Sequence, residues 1–196
     1  MLFRSNTPYS QPLWANFTVL GPGTGVFTPT DGNGAVLRRG TGGYLVNGII
    51  GRWPGVGVSI RDTETGGLMD VDSLMIRGLI LAENGSNFEA TAAGRFGDRL
   101  NTNAAAWKIS TPTLAQVFPG ALPTKTTDVT PTNLNLQPAT SSPAATAGLA
   151  SFTGTKIAGH TANYLGGTVT ATSYVGAVDP AAATRWYEGW TSWLRK

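Results

Sequence analysis

The stretch that decides the fold is residues 47–53 (NGIIGRW), a short apolar run that is closed by glycine and followed by a polar turn. Two other runs have a similar form, residues 16–21 (NFTVLG) and residues 77–82 (RGLILA). The three runs recur at a spacing of about 30 residues, which is within the range of stacked repeats. Because one such unit cannot bury its own apolar face, the spacing predicts that the units pack on each other.

Shorter apolar runs lie between these three, at residues 35–38 (AVLR) and 56–61 (VGVSIR). Each unit therefore reads as strand, turn, strand, turn. The pattern predicts an all-β fold, a solenoid of stacked rungs, and an antiparallel sandwich stays open as the alternative. Glycines end several runs, where tight corners need a positive φ: Gly21, Gly40, Gly51 and Gly78.

The composition narrows the classes of protein. The 196 residues are 41% hydrophobic but only 13% charged, and the formal net charge is +3. No basic cluster is interleaved with aromatic residues, which argues against a nucleic-acid partner. The absence of cysteine excludes disulfides and zinc–thiolate sites. No stretch approaches the roughly 20 apolar residues of a membrane span, so no transmembrane segment is predicted.

The pattern divides the chain into three parts. Residues 1–106 hold the predicted solenoid rungs. Residues 107–150 are rich in proline, threonine and alanine, which predicts a loop that wraps over the body. A short helix is predicted within it at residues 112–118, with Thr111 as N-cap and proline at its first position.

The third part, residues 151–196, regains regular structure. Alternation over residues 168–175 predicts a strand. Asp179 is followed by proline, which predicts the start of a helix that caps the solenoid. Three tryptophans follow at i, i+4 and i+7, so their indoles share one face of that helix: Trp186, Trp190 and Trp193.

Motifs near both ends carry a family resemblance. Residues 3–8 (FRSNTP), leading into residues 15–21, and residues 37–43 (LRRGTGG) precede runs that read as strands. Residues 174–180 (YVGAVDP) and 186–191 (WYEGWT) form the second motif. These segments resemble the C-terminal portion of secreted bacterial right-handed parallel β-helix proteins, as if truncated at the N-terminus.

The resemblance implies a short right-handed parallel β-helix with a long loop and a C-terminal capping helix. It also implies a periplasmic or cell-surface location, which includes the periphery of a membrane, and a non-enzymatic role. Residues 1–5 (MLFRS) are not followed by the apolar region of a signal peptide, which taken alone favours the cytoplasm. The resemblance outweighs that argument.

Candidate catalytic and metal-binding residues are few. His160 is the single histidine, and no motif places it beside a nucleophile, so it is interpreted as a surface or structural residue. No cofactor and no enzymatic activity are predicted. Four acids lie at alternate positions on either side of a glycine pair, which suits a solvated loop and leaves calcium binding open: Asp62, Glu64, Asp70 and Asp72.

The aromatic residues near the C-terminus are the predicted partner-binding site, because tryptophan and tyrosine are enriched at protein interfaces. These are Trp186, Tyr187, Trp190 and Trp193. They could instead cap the solenoid or contact lipid headgroups. The sequence predicts a non-enzymatic accessory subunit outside the cytoplasmic membrane that braces a larger assembly through protein partners, with an integral membrane complex among the candidate assemblies. The alternatives are a glycan-binding or polysaccharide-cleaving module and a self-assembling filament component.

Overall fold

The protein is described by a computed structural model over residues 11–23, 32–122, 134–161 and 169–188. Within these residues, eight strands form two sheets, in which every strand pair is parallel. The strands are β1 (Leu13–Ala15), β2 (Thr18–Leu20), β3 (Ala35–Leu37), β4 (Gly43–Gly51), β5 (Val56–Ile60), β6 (Leu74–Ala82), β7 (Ser86–Phe88) and β8 (Ile109–Ser110).

The helices are short and lie in the connections and in the second half of the chain. The first of them, α1, connects β5 to β6, and α2 lies between β7 and β8. The helices are α1 (Thr63–Asp70), α2 (Asp98–Thr102), α3 (Leu114–Val117) and α4 (Ile157–Thr161), with a 3₁₀ turn at Pro143–Ala145.

The larger sheet, sheet A, has the order β1-β4-β6-β8, and β2 also pairs with β4. Its register follows the sequence repeat, because Leu13 pairs with Tyr44 and Tyr44 pairs with Met75. Sheet B has the order β3-β5-β7. The three apolar runs at residues 16–21, 47–53 and 77–82 are thus lateral neighbours in sheet A.

The prediction of an all-β parallel β-helix is wrong. The described residues form two parallel sheets with four α-helices, a mixed α/β architecture, and they contain no closed β-helix. The repeat pattern correctly predicts that β2, β4 and β6 pack on each other. It does not predict how the connections between the strands fold. Among the described residues after β7, the structure has one strand of two residues, Ile109–Ser110, and otherwise helices, turns and loops.

The C-terminal elements also differ from expectation. Residues 169–175 form no strand and residues 179–188 form turns, so the predicted capping helix is absent from this described part. Thr172 uses its hydroxyl and carbonyl to bind side chains of sheet A, which replaces the hydrogen bonds of a ladder. Trp190 and Trp193 lie outside the described residues.

The short helix predicted near residue 112 is confirmed, but it begins two residues later. Thr113, and not Thr111, is the N-cap of α3. Its hydroxyl accepts a hydrogen bond from the Gln116 amide at 3.3 Å, and the Gln116 side chain accepts one from the Thr113 amide at 2.8 Å. This reciprocal capping box fixes the helix start.

Sheet A is buried on both faces, and all nine residues of β4 are buried. One face packs against sheet B around residues such as Leu45, Ile76 and Leu79. The other face is covered by the second half of the chain, where Ile49 and Ile80 contact Val175 and Phe118 in one cluster. A parallel sheet with both faces covered explains why its strands read as nearly continuous apolar runs.

A column of left-handed residues crosses sheet A at one register position. Asn16, Asn47, Gly78 and Lys108 have φ values of 50°, 55°, 61° and 52°. Asparagine and glycine tolerate this conformation better than most residues. At Gly78 a Cβ atom would stand 2.5 Å from Asn47 Oδ1, so only glycine fits there.

The two asparagines of this column bind the covering segment to the sheet. Both Asn16 Nδ2 and Asn47 Nδ2 donate to the Thr172 hydroxyl oxygen, at 2.8 Å and 3.1 Å. Asn47 Oδ1 accepts from the Leu149 amide at 2.6 Å, and the Gly176 amide donates to the Asn47 carbonyl at 2.9 Å. Asn47 is fully buried, and its amide oxygen and nitrogen both have partners in the cover.

Asn47→Ala is expected to lower the free energy of unfolding by about 2–4 kcal/mol, because it leaves the Leu149 amide without its acceptor and places alanine at positive φ. Chemical denaturation followed by circular dichroism measures this. Asn47→Gly, which accepts the positive φ, should lose less. Asn101→Ala, at an exposed position in α2, should change the free energy by less than about 0.5 kcal/mol. An Asn47→Ala protein as stable as the wild type would contradict the role of this side chain.

Candidate interaction surface

The edge of sheet A that carries β1 is the first part of the candidate surface. Within the described residues β1 pairs only with β4. The Tyr44 amide donates to the Pro12 carbonyl at 2.8 Å, and the Asn16 amide donates to the Val46 carbonyl at 3.1 Å. Since alternate residues of a strand bond to the same neighbour, the N–H and C=O groups of Leu13 and Ala15 point away from β4.

Trp14 stands at the exposed end of a column of side chains that runs across sheet A. It pairs laterally with Leu45, and Leu45 pairs with Ile76. The exposed fraction of the residue falls along this column from 45% at Trp14 to 6% at Leu45 and 0% at Ile76. The apolar core between the sheets therefore reaches the surface at Trp14.

The position of the Trp14 ring is fixed by stacking. Its ring lies 4.1 Å from the ring of Phe17, at an interplanar angle of 17°. Phe17 is buried in the space that a side chain at position 48 would occupy, since a Cβ on Gly48 would stand 2.1 Å from the Phe17 ring. A pre-positioned aromatic ring loses little conformational entropy when a partner covers it.

Charge is absent from this edge. Residues 11–23 (QPLWANFTVLGPG) contain no lysine, arginine, aspartate or glutamate. Edge strands of natural proteins are commonly blunted by charged side chains, lysine above all, which prevent pairing with other chains. This edge lacks that protection over thirteen consecutive residues.

Trp186 forms the second part of the surface, and it is linked to the same edge. The Ala177 amide donates to the Thr18 hydroxyl of β2 at 3.1 Å, and Trp186 Nε1 donates to the Ala177 carbonyl at 2.8 Å. Trp186 is nevertheless 57% exposed. We use the name aromatic edge for the outer side of β1 and β2 together with Trp14 and Trp186.

Tyr187, the neighbour of Trp186, faces inward. Its hydroxyl accepts from the Leu136 amide at 3.0 Å and donates to the Leu134 carbonyl at 3.3 Å. Its ring meets the Trp186 ring edge-on at 5.7 Å. Of the four predicted partner-binding residues, the structure thus exposes Trp186 and buries Tyr187, while Trp190 and Trp193 lie outside the described residues.

The acidic segment is a structural element and not a solvated loop. Asp62 is the N-cap of α1, where its carboxylate accepts from the Thr65 amide at 2.9 Å and from the Thr65 hydroxyl at 2.7 Å. Asp70 pairs with Arg99 at 2.6 Å, and Asp72 pairs with Arg77 at 3.4 Å. Glu64 lies in the exposed first turn of α1.

Across the described residues, no group of three or more histidine, cysteine, aspartate or glutamate side chains could hold a metal ion. The structure places His160 in α4, and its side chain lies outside the described part. Of the predicted acids, Asp62, Asp70 and Asp72 each bind a different partner and do not form one site.

Clefts also lie among the described residues of the covering segment. One, of about 520 Å³, is lined by apolar residues such as Leu114 and Phe118 together with Arg52 and Glu83, and Glu83 also accepts from the Leu114 amide at 2.9 Å. Another, of about 400 Å³, is lined by Tyr174, Asp179 and several hydroxyl and small side chains. These are Thr140, Ala145, Thr172, Ser173, Pro180 and Ala181.

Comparisons of the chain with protein-family models, with curated proteins and with solved structures find no match. The resemblance of its terminal motifs to secreted bacterial proteins therefore stays a prediction. Among the described residues no helix has the length and apolar character needed to cross a bilayer.

Sequence reasoning missed Trp14. The signal that could have found it is the repeat itself, because the column through Leu45 and Ile76 begins at Trp14 in the first repeat. A tryptophan at the end of such a column, inside a segment without charges, predicts an exposed aromatic residue at an uncovered edge.

The hydrogen bonds of Asp62 make stability depend on pH. Burial of its carboxyl raises the pKa, but bonds from the amides of Arg39 and Thr65 and from the Thr65 hydroxyl outweigh burial, so the pKa of Asp62 lies below its ordinary value of 3.8. A depressed pKa contributes stability above the unfolded-state value, and that stability is lost as the pH falls through the folded-state value.

We therefore expect Asp62→Asn to be less stable than the wild type at pH 6, and the difference to shrink below about pH 4. The asparagine keeps an N-cap acceptor, so the helix should persist. Urea unfolding at a series of pH values measures the difference. A gap between the two proteins that stays constant down to pH 2 would show that the Asp62 charge plays no part.

Proposed function

We propose that this chain is a non-enzymatic interaction protein that works outside the cytoplasmic membrane as an accessory subunit of a larger assembly. The observation that carries the proposal is the aromatic edge. Two exposed tryptophans, Trp14 and Trp186, flank strands whose outer backbone groups are unpaired within the described residues. Tryptophan is among the residues that contribute most to binding at protein interfaces.

The way Trp186 is held supports docking. Its indole N–H is already bonded to the Ala177 carbonyl, and the neighbouring Tyr187 is anchored in the interior. The large apolar surface of the ring stays exposed while its polar atom is satisfied. A partner that covers this ring gains apolar contact without leaving an unpaired donor.

The location rests on the resemblance of the terminal motifs to secreted bacterial proteins. The low charge of the chain, 13% of its residues, supports extended contact with other proteins better than free diffusion. A membrane-bound assembly is the partner that we favour, since tryptophan is also enriched at membrane interfaces.

Gentle purification of the tagged full-length chain from its native source should yield stoichiometric protein partners, identified by mass spectrometry. Trp186→Ala should weaken their binding by about 30-fold or more, the effect of losing a residue worth about 2 kcal/mol. Val71→Ala is the matched control, because Val71 is equally exposed at 57% but lies after α1. A Trp186→Ala protein that binds as tightly as the Val71→Ala protein would remove the basis of the proposal.

A second candidate function is glycan binding in the cleft beside Tyr174. Burial, and then the negative charge of Asp179, raise the pKa of Tyr174, so the phenol keeps its proton. A phenol, a carboxylate and the hydroxyls of Thr140 and Ser173 offer both donors and acceptors beside an aromatic ring. Sugars require this combination of polar groups and apolar surface.

Under this second function, the wild type should bind one class of oligosaccharide on a glycan array, and Tyr174→Ala should lose at least about tenfold in affinity, or roughly 1.4 kcal/mol. Leu122→Ala, in the other cleft, serves as control. An array that shows no binding above background, or equal binding by all three proteins, would exclude the cleft as a glycan site.

A further inference from the structure

The aromatic edge carries information about the form of the partner, an inference that rests on the function proposed above. We propose that the partner contributes an extended, uncharged segment that adds to sheet A as a parallel strand beside β1. The segment places an apolar side chain over Trp14 and bonds to the outward backbone groups of Leu13 and Ala15.

The backbone requires a strand and not a helix. An exposed row of N–H and C=O groups is satisfied by another extended backbone, which is how peptides add to sheet edges. On β1 the inner groups are taken by β4, through the Tyr44 and Asn16 amides. The outward N–H and C=O groups of Leu13 and Ala15 are two residues apart, which is the spacing at which a strand forms hydrogen bonds to one neighbour.

The side chains require an apolar residue at one position. The Trp14 column runs through Leu45 to Ile76, and each member is covered by the next. An added strand would continue this column. Its residue opposite Trp14 would cover the outer side of the Trp14 ring, as Leu45 covers the inner side. Aromatic and β-branched or aliphatic side chains form the most stabilising lateral pairs.

Charge and direction narrow the occupant further. No charged side chain lies in residues 11–23. A charged partner segment would lose its hydration at this edge without gaining an ion pair, whereas an uncharged segment has no such cost. All strand pairs in both sheets are parallel. A parallel strand therefore continues the twist and register that sheet A already has.

A second copy of this chain fits less well. Two copies related by a two-fold axis would pair β1 with β1 in the antiparallel direction. A head-to-tail arrangement that continues sheet A would use its other edge, β8, which offers only the two residues Ile109–Ser110. The edge strands of sheet B, β3 and β7, have three residues each. The strand is therefore assigned to a different polypeptide.

The test uses the full chain and a synthetic peptide with the sequence of residues 43–51 (GYLVNGIIG), flanked by lysines for solubility. This sequence pairs in parallel with the inner side of β1 and β2, and it places leucine opposite Trp14. A peptide with lysine in place of that leucine is the control. Residue-resolved hydrogen exchange reports on the amides of Leu13 and Ala15, and fluorescence reports on Trp14.

We expect those two amides to exchange rapidly in the free chain and at least about tenfold more slowly with the peptide, because strand pairing protects amides. Ala15→Pro removes an outward N–H while leaving the bond from Asn16 to Val46, so it should abolish protection without unfolding the chain. Trp14→Lys should also abolish protection, because it places a charge where the peptide packs. Val36→Lys, at the exposed position of β3, should leave protection by the peptide unchanged.

Three results would overturn the proposal. The peptide could fail to protect Leu13 and Ala15. Protection could already be present in the free chain at every concentration, which would mean that the same chain covers the edge. It could rise with protein concentration alone, which would mean that a second copy does.

The native partner separates this inference from the function on which it rests. If Trp186→Ala releases the partner and Ala15→Pro does not, docking stands but strand addition is wrong. If both variants release it while Val36→Lys retains it, both proposals are supported. If neither variant releases it, both proposals are wrong.

Discussion

The hydroxyl of Thr172 is the point on which the arrangement of this protein depends. It accepts hydrogen bonds from the amide groups of Asn16 and Asn47, and it donates to the Tyr174 carbonyl at 2.9 Å. One small side chain thus connects two neighbouring strands to the segment that covers them. Because these groups are partly or fully buried, the loss of any of them would leave polar atoms without partners.

The same hydrogen bonds position Trp186 at the aromatic edge. Thr172 binds Asn16 and Asn47, Gly176 binds the Asn47 carbonyl, and Ala177 binds Thr18 of β2 and accepts a hydrogen bond from the Trp186 indole. The two exposed tryptophans therefore lie along the same edge of sheet A but on different faces. Trp14 belongs to the column of Leu45, which faces sheet B, whereas Trp186 is held through Thr18, whose lateral partner Ile49 faces the cover. They meet at one edge because the cover is bound to the first two strands.

The sequence predicts neighbours in the sheet better than it predicts the rest of the fold. The repeated apolar runs identify β2, β4 and β6 because a parallel strand buried on both faces leaves an unmistakable apolar run. The covering segment cannot be predicted in this way. Residues 169–175 alternate like a strand, but their bonds go to asparagine side chains far away in the sequence, which no local pattern encodes. Spacing alone also misreads residues 179–188 as a helix.

The candidate surface shows the same division. Trp186 is recognisable from its residue type, whereas the burial of Tyr187 depends on backbone groups of Leu134 and Leu136 that only the tertiary structure brings close. The acids from Asp62 to Asp72 resemble a cation-binding loop in sequence. In three dimensions they are divided between a helix cap and two separate arginine pairs.

The cover of sheet A has a consequence for how the chain reaches its native state. Asn16 and Asn47 find Thr172 across 156 and 125 residues, so one apolar face of the sheet stays uncovered until nearly the whole chain has emerged. Contacts at such separations make folding slow, and a chain in that condition is prone to aggregate. The apolar face of sheet A that Thr172 and its neighbours cover is thus exposed during synthesis, before the C-terminal segment arrives.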